Sequence, residues 1–217
     1  KHTVTRDDDT MARYSSNGPT WYDGLVKPDV VAPGHMLASE ISPRGTLFTT
    51  YPSLQKKSST GKVFETLSGT SMAAGVVSGV VAVLEQATGR ALTPNLAKGV
   101  LQFTAVPLME NGLRLSPLRQ GTGSVNAKGA LSLLNNIDAT ITDLETPWLQ
   151  QNVVKATTIG TQTYDWAANI VWGDNIVWGD SVFYNLPVWG LNIVWGDNIV
   201  WGDNIVWGDN IVWGDSG

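Results

Sequence analysis

Gly69-Thr70-Ser71-Met72-Ala73, which runs without a break into Ala74-Gly75-Val76-Val77-Ser78-Gly79-Val80-Val81-Ala82-Val83-Leu84, is the stretch on which the reading of this chain turns. A small hydroxyl stands directly after a Gly-Thr turn, and an apolar helical run begins behind it. At a helix start the first backbone N–H groups lack partners and the dipole is positive, and both favour an oxyanion forming beside the hydroxyl. An acyl-transfer nucleophile needs that setting. From Met72 to Leu84 there is no charge and one polar residue, Ser78. A run that is apolar all round is expected to be buried on every side. It is too short to span a bilayer, and Glu85 and Gln86 close it. Gly75 and Gly79 share one face and are expected to admit neighbouring backbone, at a propensity cost of about 1 kcal/mol each.

Other segments flank this core. Upstream, Ser15-Ser16-Asn17-Gly18-Pro19-Thr20 is a turn-rich loop. Lys27-Pro28-Asp29-Val30-Val31-Ala32-Pro33-Gly34 contains a short apolar run, Val30 to Ala32, expected to be a buried strand closed by a Pro-Gly turn. Downstream, Thr93 suits an N-cap and Pro94 a first helical position. Leu96, Val100 and Phe103 then mark an amphipathic helix. Gly121-Thr122-Gly123-Ser124-Val125-Asn126 reads as a strand entering a third helix, with Asn126 as cap and Leu131 and Leu134 on the buried face.

In this order the segments resemble the C-terminal half of the catalytic domain of the subtilisin family of serine proteases. The resemblance is carried by S-S-N-G-P-T at 15–20, K-P-D-V-V-A-P-G at 27–34, G-T-S-M-A at 69–73, L-T-P-N-L-A-K at 92–98 and G-T-G-S-V-N-A at 121–127, and covers residues from about 3 to about 136. One such segment occurs by chance; five in family order with suitable spacing do not. The resemblance implies an α/β three-layer fold with a mainly parallel sheet, and a serine endopeptidase that works through an acyl-enzyme on Ser71. It assigns the backbone N–H of Ser71 to the oxyanion, Gly69 to close approach of the substrate backbone, and Thr70 to positioning the turn. Many members continue the serine motif as S-P-H-V-A-G. This chain has Ala74-Gly75-Val76-Val77-Ser78-Gly79, a change expected to alter packing rather than the nucleophile.

In family order the aspartate and histidine of the triad precede the serine, and their motifs, with the asparagine that donates to the oxyanion, are expected before residue 1. His2 and His35 read as terminal and loop histidines, and Asp29 as a structural acid near a strand start. The expectation is therefore a partial or processed chain, inactive alone. The rival reading is a non-catalytic surface-binding or adhesion module on a degenerate protease scaffold.

Composition splits the chain. Residues 1–155 hold all 14 Lys and Arg and 12 of the 19 acidic residues, a net of +2, whereas 156–217 hold the other 7, all Asp, a net of −7. The overall −5, with no basic stripe, argues against nucleic acid as a partner. Lys56-Lys57 reads as a solvated loop pair. Without cysteine there are neither disulfides nor thiolate metal sites, and no metal site or membrane span is expected. A polypeptide substrate and a secreted or cell-surface location follow from the resemblance alone.

The organisation expected is a peptidase part at 1–137, a connector at 138–165 and a repeat region at 166–217. Asn-Ile-Val-Trp-Gly-Asp occurs six times, at 169–174, 175–180, 192–197, 198–203, 204–209 and 210–215, with an interruption at 181–191. Each hexad pairs a strand triplet, Ile-Val-Trp, with a turn signal, Gly-Asp-Asn, so short-strand β structure is expected. For this tail three roles stand open: binding of a surface or polysaccharide, Ca²⁺ on the regular Asp and Asn oxygens, and a spacer or self-association element. One carboxylate per hexad makes a poor Ca²⁺ ligand set, and no cofactor is identified.

Overall fold

Each strand from residue 169 onward is built on an Ile-Val pair, and β-breaking Gly and Pro punctuate the rest, so no long strand forms among the described residues. The computed structural model describes residues 5–21, 26–138, 153–172, 175–178, 193–194, 205–207 and 211–213, with backbone alone described from residue 169 onward. His2, residues 139–152 of the connector, the interruption at 181–191 and the Gly-Asp pair of every hexad lie outside the described residues. Two compact units emerge, one of Ala12–Ser15 and Ala32–Gly79, the other of Lys1–Met11, Ser16–Val31 and Val80–Gly217.

The smaller unit holds β1 (Leu37–Glu40), α1 (Thr46–Thr50), a 3-10 turn at Pro52–Leu54, β2 (Gln55–Lys57), β3 (Val63–Leu67) and the start of α2 (Thr70–Thr88). Its sheet has the order β1-β3-β2. β3 is antiparallel to both neighbours, with Leu37 opposite Leu67 and Gln55 opposite Glu65. Lys62 pairs with Glu40 at the sheet's exposed end. Lys56 and Lys57 are solvated as expected, but they lie in β2 rather than in a loop. Short cross-strand pairs can recruit them because β3 offers a full ladder edge.

In the larger unit, Thr93 caps α3 (Pro94–Phe103) by accepting from the Leu96 N–H at 3.2 Å. The helix buries Leu96, Val100 and Phe103. β4 (Met109–Glu110) and β5 (Leu113–Arg114) form a hairpin around Asn111-Gly112, both with positive φ, as a tight two-residue turn demands. α4 (Pro117–Gln120) follows its Ser116 cap, and α5 (Ala127–Leu134) is capped by Asn126, whose side-chain oxygen accepts from the Gly129 N–H at 3.0 Å. The buried face of α5 is Ala130, Leu133 and Leu134; Leu131 is half-buried, a shift of the expected stripe.

The segment 121–126 lies between two others. Val106 and Ser124 exchange backbone bonds at 2.9 and 2.8 Å, while Val31 donates to Gly123 at 2.9 Å and accepts from Val125 at 2.8 Å. The strand expected at Val30–Ala32 is thus a single bridge at Val31, because Pro28 and Pro33 interrupt the ladder on both sides. That bridge to Ser124 is parallel; every strand pair before residue 169 among the described residues is antiparallel.

One expectation about α2 is overturned. Only Leu84 is buried, Val83 is 56% exposed, and nothing lies within 4 Å of where a Cβ would sit on Gly75 or Gly79. An apolar pattern reports what a helix prefers to touch, and the described residues do not supply that layer. The helix also runs on through Glu85 to Thr88. With 19 residues it is long and apolar enough to cross a membrane by length and composition; those two properties alone do not make it a span.

Inside the stretch read as a connector, β6 (Ala156–Ile159) and β7 (Gln162–Asp165) form a hairpin fastened to the rest of the larger unit by polar contacts, so 156–165 is built structure rather than linker. Thr157 Oγ1 accepts from Asn126 Nδ2 at 2.9 Å and from Trp166 Nε1 at 2.7 Å. Arg6 reaches the same region: its backbone N–H donates to the Tyr164 hydroxyl at 2.9 Å, and its guanidinium to Ser124 and Val125. Trp166 is buried and meets Phe103 edge-on. Ala167 and Ala168 donate to the carbonyls of Ala105 and Phe103 at 2.7 and 3.0 Å, so the chain adds a strand-like stitch before the hexads begin. We expect Trp166→Ala to lower unfolding free energy by about 3–5 kcal/mol in urea titration, since it empties a filled site. Ala168 holds φ 50, a left-handed geometry that costs a residue with a Cβ about 1–2 kcal/mol. Ala168→Gly is expected to raise the urea midpoint; a lowered one would show that the strain is absorbed.

Beyond Ala168 come β8 (Asn169–Trp172), β9 (Asn175–Trp178), β10 (Ile193–Val194), β11 (Ile205–Trp207) and β12 (Ile211–Trp213). They form a two-stranded sheet, β8-β9, and a three-stranded one of order β10-β11-β12.

Candidate active site

Ser71 is the second residue of α2 and is exposed, with Thr70 before it, also exposed, as the first. The break between β3 and α2 is made by Ser68-Gly69. The Gly69 carbonyl accepts from the N–H groups of Met72 at 3.1 Å and Ala73 at 3.3 Å. The Ser71 N–H, in the first turn where no carbonyl four residues back is available, makes no bond to any described residue. Hydroxyl and amide therefore emerge together at the positive end of a 19-residue helix.

The turn is braced from the Pro33-Gly34 side. Gly69 donates to the Gly34 carbonyl at 2.8 Å, and the Ser68 hydroxyl accepts from the Met36 N–H at 2.8 Å. A Cβ on Gly34 would stand 2.7 Å from the Gly69 oxygen and 3.0 Å from the Ala73 Cβ, so only glycine allows this approach. The Gly34 carbonyl also accepts from the Tyr14 hydroxyl at 3.1 Å, and the Tyr14 ring stacks on His35 with centroids 6.4 Å apart. Sequence reasoning read Pro33-Gly34 as a strand-ending turn and missed this brace; the signal was the glycine itself, far along the chain from its contact.

Asp29 has a different job. Its carboxylate takes Lys27 at 2.7 Å, Lys98 at 2.9 Å and Gln102 at 3.0 Å, and its backbone carbonyl accepts from Thr122 at 3.1 Å. It thereby ties the K-P-D segment to α3 and to the G-T-G segment. Glu65, two residues short of the end of β3, is 2% exposed, and neither carboxylate oxygen has a hydrogen-bond partner among the described residues. No cluster of three or more His, Cys, Asp or Glu suited to a metal is present among the described residues.

This arrangement presents an exposed hydroxyl beside an amide of the first helical turn, and the described residues bring no histidine or carboxylate into hydrogen bond with Ser71. Comparison with known proteins gives the context. The model of the subtilase family matches residues 3–132. Serine protease AprX of Bacillus subtilis is 37% identical over 130 residues, 60% of this chain and 27% of that protein. C5a peptidase of Streptococcus pyogenes is 33% identical over 129 residues, 55% of this chain and 9% of that protein. Pyrolysin of Pyrococcus furiosus is 33% identical over 150 residues, 65% of this chain and 9% of that protein. The chain thus spans about a quarter or less of the length of these relatives. The family is one of serine proteases, hydrolases whose substrates are polypeptides. With more than half of its residues matched by the family model, the chain belongs to the subtilase family.

Proposed function

We propose that this chain is the nucleophile-bearing part of a secreted or cell-surface serine endopeptidase of subtilisin-like three-layer architecture. The observation that carries the reading is Ser71, exposed as the second residue of α2, with its N–H bonded to none of the described residues. In the mechanism, Ser71 Oγ attacks the carbonyl carbon of the scissile peptide while a histidine removes its proton. The C–N bond then breaks, the amine leaves with that proton, and water hydrolyses the acyl-enzyme. The Ser71 N–H and an asparagine side chain hold the oxyanion, worth about 10²–10³ in turnover per donor. Gly69 admits the substrate backbone and Thr70 positions the turn. We assign the histidine, its aspartate and the asparagine to residues outside this chain, in keeping with the 27% of the AprX relative that it covers.

The rival, a binding module on a degenerate scaffold, draws support from the hexads alone. A fluorophosphonate probe separates the two. On the longer protein containing this sequence, labelling on Ser71 is expected; its failure would favour the scaffold. On the 217-residue chain by itself, strong labelling would overturn the assignment of the base to residues elsewhere.

A further inference from the structure

The hexads are the one sequence feature that the peptidase reading does not use, and their pairing is unusual. Residues 169–180 and 204–215 are the same dodecapeptide, Asn-Ile-Val-Trp-Gly-Asp twice over. In the first copy Trp172 pairs with Asn175, Val171 with Ile176 and Ile170 with Val177. In the second copy Trp207 pairs with Ile211, Val206 with Val212 and Ile205 with Trp213. Identical residues thus take two antiparallel registers, one residue apart. A third mode is parallel: Ile193 pairs with Ile205 and Val194 with Val206. Register is held only where a sequence distinguishes the alternatives, and a strand that pairs in several ways is prone to exchange and to pairing between chains.

An edge is available for that exchange. β9 and β10 lie against each other and β8 against α3, whereas β12 is the outer strand of a sheet of three and has one unpaired side among the described residues. No hexad contains Pro, Lys or Arg, the residues that guard exposed edges. Because the hexads are identical, a hexad of another copy fits that edge as well as a neighbour in the same chain does.

We infer that the hexad region is a homotypic β-pairing element that joins this chain to further copies of itself through edge strands. One Asp per hexad opposes the joining. Paired strands lie about 4.8 Å apart, inside the Debye length of about 8 Å at physiological salt, so the like charge on 156–217 repels at low salt. Association is therefore salt-promoted, opposite in sign to attraction between unlike charges. The inference does not depend on Ser71 being a nucleophile.

Sedimentation velocity of the full chain tests it. The weight-average mass is expected to reach at least twice that of a single chain as concentration and salt rise, and a synthetic Asn-Ile-Val-Trp-Gly-Asp dodecamer in excess should bring it down. Replacing the valines of all six hexads (Val171, Val177, Val194, Val200, Val206 and Val212) by proline removes a backbone N–H donor from each. That variant is expected to stay single under all conditions. A full chain that remains single at every salt concentration would overturn the inference. So would a valine-to-proline variant that associates as the parent does, because the contact would then lie elsewhere.

Discussion

Ser71→Ala, made in a protein that carries this sequence together with the proposed histidine, aspartate and asparagine, is expected to lower peptide hydrolysis about a millionfold in turnover. That is the loss found when the nucleophile or its base is removed in subtilisin, a member of this family. The loss should fall on turnover with little change in KM, because the hydroxyl acts in the chemical step. Ser78 supplies the control. It lies on the same helix, is exposed, and its hydroxyl donates to the Ala74 carbonyl at 3.0 Å. Ser78→Ala is expected to leave turnover within a factor of two or so, since surface substitutions of this kind shift stability by about 0.5 kcal/mol or less. Equal activity of parent and Ser71→Ala would remove Ser71 from the chemistry.

Gly121→Ala is expected to destabilise the chain by about 2–6 kcal/mol. Gly121 sits at φ 62 and ψ −128, a conformation that residues with a Cβ rarely adopt. A Cβ there would lie 2.2 Å from the Asp29 carbonyl oxygen and 2.3 Å from that of Pro28. Both are backbone atoms, so neither can swing away. Strain of about 1–3 kcal/mol adds to about 1–3 kcal/mol for overpacking, against a total stability of about 5–15 kcal/mol for a domain. The opposing group is the Asp29 junction, where Lys27, Lys98 and Gln102 converge, so a shift there is felt in α3 as well. Gly112→Ala isolates the two causes. Gly112 has φ 77 with nothing within 4 Å of a Cβ, and should cost only the left-handed strain of about 1–2 kcal/mol. Urea titrations that give the two variants equal midpoints would refute the clash.

Much of the local structure was legible because it is decided by a few residues in contact along the chain. Thr93-Pro94 and Asn126 cap the helices assigned to them, and Ser71 stands where a Gly-Thr turn meets a helix. What escaped notice depends on partners far away in sequence. The brace from Gly34 to Gly69 and the fastening of Trp166 to Thr157 and Phe103 cannot be read from periodicity, which records residue type and not what lies opposite. Glu65 is the clearest case: within Val63-Phe64-Glu65-Thr66-Leu67 the one charged residue is the one fully buried. The apolar run of α2 misled in the other direction, since hydrophobicity states a demand for cover without supplying it. For the candidate site, the exposed hydroxyl at a helix start was legible and the brace behind it was not.

The junction at Ala167 and Ala168 carries a last consequence, for how such a gene can change. Both residues are held through main-chain bonds to Ala105 and Phe103, and main-chain bonds are blind to the number and identity of the residues downstream of them. Replication slippage that adds or deletes whole hexads would alter tail length and leave the fastened part of the molecule untouched. Copy number is thus free to drift among close relatives, while Trp166, Thr157 and Asn126 are not.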